Sequence, residues 1–325
     1  MRDVLVLLML TGVVACGPIH TRVKPAENPQ KISSLWVDSR IATRDLFRGV
    51  GGARIAPPVR GGRFAFVERK SAGTNPGYEV QDARGRKWSV KLGKEAQTEV
   101  VASRILWAVG YHQPATYYVA EWSMTGAVAG PQEPARFRLE SDGQDVARDW
   151  SWYENPFVGM QAFRGLLVLQ LILNNWDLKT VNNKVYVSDG GPGTERYVVR
   201  DLGASLGGAR QFPLLQWLNI RQMQGTRNDL EAFESMDFIA GVDGDRVRFA
   251  YRGLDEPLID SVSRDDVVWA CRRLQQITDR QWRDAFRAGG YTPEQARRYI
   301  TKIKAKVHEG LALDSRPSKT ARVDP

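Results

Sequence analysis

The sequence predicts an α+β chain built as two lobes, a small β-rich lobe with one helix followed by a larger, mainly helical lobe. Three observations carry that expectation. From Arg63 to Leu92 apolar and polar residues alternate in RFAFVERK, YEVQD and RKWSVKLG, the period of half-buried strands. The run GMQAFRGLLVLQLILNN, residues 159–175, is apolar nearly all the way round, as a helix buried on every side must be. In the last quarter of the chain Ser263/Asp266, Thr278/Gln281 and Thr292/Gln295 each have the spacing of a helix capping box, the last with Pro293 at the first helical position.

Taken in order, residues 46–143 form the expected first lobe. In RKWSVKLG, Trp88, Val90 and Leu92 share one face of a strand and Lys87, Ser89 and Lys91 the other. The break SAGTNPG, Ser71 to Gly77, reads either as a long hairpin loop or as a loop whose backbone N–H groups turn toward an anion. KEAQTEVVASRILWAVG, residues 94–110, reads as a helix carrying Glu95, Glu99, Ala102 and Leu106 on one stripe. ATYYVAEW and ARFRLES add strands, and SDGQD is the expected crossing between lobes. The second lobe, residues 144–313, holds the buried helix and two short strands, KVYVS and RYVVRD. Short helices are expected over residues 214–233, then a hairpin turning at Asp243-Gly244. A final helix follows, with Ala296, Ile300, Ile303 and Val307 inward and Arg297, Arg298, Lys302, Lys304 and Lys306 on the remaining faces.

The buried helix leads into NNWDLKTVNN, and the second short strand ends on Asp201-Leu202-Gly203. Asp177, Asn182 and Asp201 therefore stand at the exits of core-anchored elements. Three oxygen ligands so placed suit a hard divalent cation and phosphate chemistry, although an Asn and an Asp at a helix end also serve simply to satisfy loop backbone.

Asp177-Leu178-Lys179-Thr180-Val181-Asn182 resembles the D-L-K-x-x-N half of the protein-kinase catalytic loop, and Asp201-Leu202-Gly203 resembles D-F-G. The wider resemblance is to the atypical protein-kinase-like fold, including HipA-like, lipid and Golgi secretory kinases. It implies Asp177 as catalytic base, and Asn182 and Asp201 as ligands of magnesium or manganese that accompanies ATP or another nucleotide. Lys91, in V-K-L-G, resembles the strand lysine that holds donor phosphates, with a plain solvated lysine as the alternative. Lys179 would neutralise charge on the transferring group. Gly73 and Gly77 would belong to a phosphate-covering loop. Of the two helix acids that could order Lys91, Glu99 is favoured, because Glu95 lies nearer the helix N-terminus, where an acid serves the dipole without further function. The departures are Asn175-Trp176 in place of His-Arg, Leu202 in place of Phe, and no A-P-E sequence. Without that arginine, regulation through activation-loop phosphorylation is not expected. If this is a phosphotransferase, Lys91 and Asp201 must converge on one cleft. The competing expectation is a catalytically inactive kinase-like lipoprotein that acts as an envelope binding or scaffold module. A hydrolase or transferase for cell-wall material lacks a recognisable nucleophile motif.

Residues 1–15 read as an export signal, with Arg2 and then an apolar stretch, and Val13-Val14-Ala15-Cys16 resembles a bacterial lipobox. That resemblance implies lipidation of Cys16 and a protein held at the cell envelope by its lipid, with Pro18 pointing to the outer membrane, facing the periplasm. Residues 16–45 are expected as a flexible tether and 314–325 as a disordered tail. With Cys16 and Cys271 the only cysteines and three scattered histidines, a zinc cluster or a Ser-His-Asp triad has little to draw on. The 325 residues carry a net charge of +9. An exported chain without an aromatic-interleaved basic motif is not expected to bind nucleic acid, so the charge reads as a solvated helix face or an approach to an anionic membrane. The phosphate acceptor is not identified by any residue pattern.

Overall fold

The computed structural model describes residues 23–26, 30–70, 76–140, 144–188, 195–209, 225–251 and 255–314. The expected export signal, Cys16, Gly73, the C-terminal tail from residue 315 and most of the short helices expected over 214–224 lie outside the described residues. No described helix is long and apolar enough to cross a membrane.

The first lobe is a sheet of strands in the order β5-β8-β4-β3-β2-β6-β7. In sequence these are β2 (Gly62–Lys70), β3 (Gly77–Gln81), β4 (Lys87–Leu92), β5 (Thr116–Val119), β6 (Trp122–Thr125), β7 (Gly130–Gln132) and β8 (Ala135–Leu139), preceded by the two-residue β1 (Lys24–Pro25). Every pairing in the sheet is antiparallel except β2 with β6. Its apolar face is filled by Trp88, Phe137, Phe64, Val80, Val90 and Trp122, whose rings meet edge-on or tilted. Helix α1 (Glu95–Ala108) packs on the opposite side of β4, β5 and β8. Its apolar residues Val101, Ala102, Ile105 and Leu106 join the core of the second lobe rather than that of the sheet. One helix thus belongs to both lobes.

Of the expected crossing SDGQD, residues 141–143 lie outside the described residues, and its last two residues open a strand. β9 (Gln144–Asp149) pairs antiparallel with β11 (Asn183–Ser188), which pairs in turn with β12 (Arg196–Val199). β10 (Glu154–Asn155) pairs with β1. Behind this sheet lies α2 (Gln161–Ile172), buried along almost its whole length and packed on α5 (Arg264–Gln275) and α7 (Pro293–Leu311). The remaining elements are α3 (Leu230–Ser235), the hairpin β13 (Ile239–Asp243) and β14 (Arg246–Phe249), α4 (Glu256–Ile259), and α6 (Asp279–Ala288). All three capping boxes form.

Residues 30–45 correct the expected tether. Leu35 and Ile41 are buried in the large core, the Trp36 indole donates to the Val109 carbonyl at 2.8 Å, and Gln281 donates to the carbonyls of Ile41 and Arg44. A segment with apolar anchors at this spacing gains more by burial than it loses in chain entropy. Lys306 is a second correction. Expected on a solvated face, it is 2% exposed. Its ammonium donates to Ile172 O at 3.1 Å and Asn174 Oδ1 at 2.7 Å.

That contact finishes the end of α2. Asn174 takes a left-handed conformation (φ 55°), its N–H bonds Leu171 O, and the Asn175 N–H bonds Gln170 O. These are the two bonds of a Schellman terminus, for which Asn is the usual substitute for Gly. Lys306 satisfies a further carbonyl where the helix dipole is negative. The chain that follows, Asp177 onward, leaves a helix end with no slack.

Candidate active site

Lys91 lies on β4 directly opposite Arg136 of β8, and Ser89 lies opposite Arg138. Two cations facing each other across a ladder repel, so the pairing needs a counter-ion. Glu99 of α1 supplies it. Its carboxylate, 1% exposed, lies 3.3 Å from Lys91 Nζ, 2.8 Å from Arg136 Nε and 3.3 Å from Arg138 Nη1. Burial and the Arg138 charge pull the Arg136 guanidinium down to about 10, whereas Glu140 and Glu99 outweigh burial at Arg138 and hold it above its ordinary value.

The Lys91 ammonium reaches three carboxylates. It donates to Glu95 Oε2 at 2.8 Å and to both oxygens of Asp201 at 2.9 and 2.8 Å, besides its ion pair with Glu99. Burial alone would lower the lysine, but Glu99, Asp201 and Glu95 together hold it above its ordinary value. Asp201 responds in the opposite sense. Burial raises its carboxyl, and the charge and hydrogen bonds of Lys91, with the Gly203 N–H, drive it well below the usual carboxylate range. The residues stand 110 positions apart and in different lobes, so the convergence required of Lys91 and Asp201 is present.

Both acids considered for α1 contact Lys91, and Glu95 is the nearer one. It is not simply a dipole residue, since Arg227 also pairs with it and lies 5.1 Å from the centre of the Trp176 ring. Trp176, where the family pattern has Arg, is 1% exposed and bonds Thr226 O. Gly203 is required by contact: a Cβ there would meet Glu95 Cβ at 2.7 Å and its Oε2 at 2.6 Å. The D-x-G turn can therefore lie flat against α1, where Thr98 also donates to Gly203 O at 2.9 Å.

On the opposite wall Asp177 pairs with Lys179 at 2.9 Å. Asn182 donates its amide to Asp177 O at 2.9 Å, and its own carbonyl accepts from the N–H groups of Arg200 and Asp201. The loop bearing Asp177 is thereby tied to the strand end bearing Asp201. With the Asn182 nitrogen so engaged, its Oδ1 is the atom left to bind a ligand. Ionised Asp201 and Asn182 Oδ1 are hard oxygens of the type a magnesium ion takes alongside donor phosphates and water. Among the described residues no group of three or more His, Cys, Asp or Glu side chains is arranged to hold a metal ion by itself. Gly77 opens β3 opposite Lys91 and is part of the ladder; its partner in the expected phosphate loop, Gly73, lies outside the described residues.

The sequence reading missed Arg136, Arg138, Glu140, Arg200 and Arg227. Glu140 accepts from Arg200 at 2.9 Å and lies 3.8 Å from Lys70 and 3.7 Å from Arg138. Burial raises this carboxyl, and Arg138, Arg200 and Lys70 outweigh it. The alternation in ARFRL, with Arg136 and Arg138 flanking Phe137, was the available signal.

The lobe order and this site define a two-lobed, kinase-like α+β fold. No protein-family model matches the sequence, and no curated protein matches it. Among solved structures the chain is similar to CtkA, a proinflammatory kinase of Helicobacter pylori, with a TM-score of 0.47 and 11% identity over 80% of this chain and 100% of that one. It is also similar to the Rio2 kinase of Chaetomium thermophilum, in a complex with ADP/Mg2+ and phosphoaspartate, with a TM-score of 0.30 and 13% identity over 77% of this chain and 73% of that one.

Two outcomes are expected. Glu99→Gln leaves the buried Arg136 and Arg138, with part-buried Lys91, without their shared counter-ion and should lower stability by about 3–5 kcal/mol, measured by urea unfolding. For Asp201, the depressed carboxyl adds stability above its unfolded value near ~4, which is lost as pH falls through the folded value. The difference in melting temperature between wild type and Asp201→Asn should therefore shrink as pH is lowered from about 7 to about 3.

Proposed function

We propose that this protein is a metal-dependent phosphotransferase, using a nucleoside triphosphate as donor and an alcohol as acceptor. The observation that supports it most is the cross-lobe contact of Lys91 with Asp201, ordered from behind by Glu95 and Glu99. A charge set this costly to bury has little purpose in a surface that only docks a partner. Lys91 would hold the donor phosphates as a compact point charge. Asp201 and Asn182 would hold magnesium or manganese, which when bound supplies neutralising charge at the phosphates. Lys70, Arg138 and Arg200 add positive potential nearby and favour a polyanionic donor.

Asp177 would orient the acceptor hydroxyl and take its proton. The hydroxyl oxygen forms the new bond to the γ-phosphorus, the bond to the β–γ bridging oxygen breaks, and the nucleoside diphosphate leaves with that electron pair. Lys179, paired with Asp177, would move to the transferring group as its charge spreads. Most of the rate enhancement then comes from placement and electrostatics, which rigid elements on both walls of the cleft supply.

The test is a thermal-shift titration of the full chain with magnesium or manganese and ATP, GTP or ADP. Binding to the folded state raises the melting temperature by linkage, about 2.7 kcal/mol at a hundredfold excess over Kd. A metal-dependent rise that disappears in Asp201→Ala is the expected result. A folded protein that shows no rise with any of these pairs would instead be a kinase-like binding module.

We further propose that the domain works at the bacterial envelope, anchored through Cys16, on the support of the lipobox resemblance and the net charge of +9. Expressed in a bacterium, the wild-type chain should fractionate with membranes and Cys16→Ala with soluble protein; equal partitioning of the two would refute the anchor.

A further inference from the structure

Outside the cleft, the buried charge that stands out is Arg104 of α1. It is 1% exposed, yet among the described residues none of its three guanidinium nitrogens has a hydrogen-bond partner. Buried guanidinium groups are normally paired, because five N–H donors lose water on burial. The Tyr117 ring, 5.3 Å away, offers a cation–π contact. Asp45 acts on the guanidinium only through space, its Oδ1 accepting the N–H groups of Phe47 and Arg48. Gly49, in a left-handed conformation (φ 74°), lies against the guanidinium so closely that any Cβ would collide with it. The loop is moulded around this side chain.

Arg104, its guanidinium nitrogens almost wholly covered, lines a half-open pocket of about 860 Å3 between residues 47–60, β5 and the end of α6. That is the size of a small-molecule site. Its other walls are largely apolar, with Ile55, Pro57, Pro58 and Val119 beside Tyr117 and Tyr118. The remaining arginines of the wall have carboxylates of their own: Arg48 with Asp45 at 3.8 Å, Arg60 with Glu121, and Arg287 with Asp284 at 2.8 Å. Among the described residues, Arg104 is thus the arginine of the wall with no carboxylate in ion-pair contact.

We propose that this cavity is a ligand site separate from the Lys91–Asp201 cleft, and that it takes a small amphiphile, an apolar body ending in a carboxylate or phosphate that pairs with Arg104. An apolar tail meets the proline, aliphatic and aromatic wall, and the anionic head supplies the acceptors that the guanidinium lacks. Planar guanidinium recognises both head groups in a bidentate manner. Neither the phosphotransferase reading nor the envelope anchor is needed for this assignment.

The test is isothermal titration of the full chain with dodecanoate and dodecyl phosphate, each below its micelle concentration, and with dodecanol below its solubility limit. Saturable binding of one or both anions is expected, and the comparison between them identifies a carboxylate or a phosphate ester as the natural head. Arg104→Met should weaken the anions by about tenfold or more and leave dodecanol unchanged, since only the charge-assisted bonds are removed. Equal affinity in wild type and Arg104→Met, or no saturable binding of either anion, overturns the proposal. If Arg104→Met does not melt cooperatively, Ala53→Trp decides. Ala53 is exposed at the cavity wall, so an indole there blocks entry while Arg104 stays in place. Loss of anion binding supports the site, and unchanged binding refutes it.

Discussion

The Glu99 carboxylate is the constraint on which the cleft depends. Sheet register puts Lys91 and Arg136 face to face, with Arg138 one pair further along. That arrangement is tolerable in a dry interior only if a fixed anion sits among the cations. The anion comes from α1, so α1 must lie against β4 and β8, and the apolar side of α1 is then presented to the second lobe. One ion cluster therefore sets the position of the helix, and the helix sets how the two lobes meet.

From that position the rest of the site follows by contact. Glu95, one helical turn before Glu99, comes within reach of Lys91 and Arg227. The turn after β12 has to pass flat beneath Glu95, which only a glycine at 203 permits. Asp201 is then delivered to Lys91 from the other lobe. The opposite wall is rigid for a different reason. The Schellman end of α2, closed by Lys306, leaves the Asp177 loop a single exit, and the Asn182 carbonyl ties that loop to Arg200 and Asp201. The cleft is thus assembled from two independent anchors, one electrostatic and one made of backbone hydrogen bonds in a packed core.

The same helix carries the second buried charge, Arg104, but with the opposite balance. Glu99 has more cations than one carboxylate needs, whereas Arg104 has an aromatic ring and no acceptor among the described residues. A protein can hold such a group where surrounding packing over-determines its position, as the Gly49 loop does here. Ligand sites are the usual place for that imbalance.

Period and turn chemistry made most elements legible from sequence alone: the alternation of β2 to β4, the all-round apolar α2, the hairpin at Asp243-Gly244 and three capping boxes. These are local properties, fixed within a turn or two of chain. The Asp177, Asn182 and Asp201 set was legible because each residue follows a strong local signal. Residues 30–45 were misread because their composition is polar and only three or four anchors hold them, and burial of Leu35 and Ile41 is decided by a surface formed elsewhere. Lys306 was misread because a helical stripe does not say how far a long side chain reaches to find Ile172 O. Nor can spacing choose between Glu95 and Glu99, or reveal Arg136, Arg138 and Arg227, since their roles depend on strand register and on the angle of α1 against the sheet. The sequence by itself determined which elements form and which of them end in polar groups. Only the tertiary structure decided which charges meet, because an ion pair between residues 110 positions apart depends on packing that no local pattern encodes.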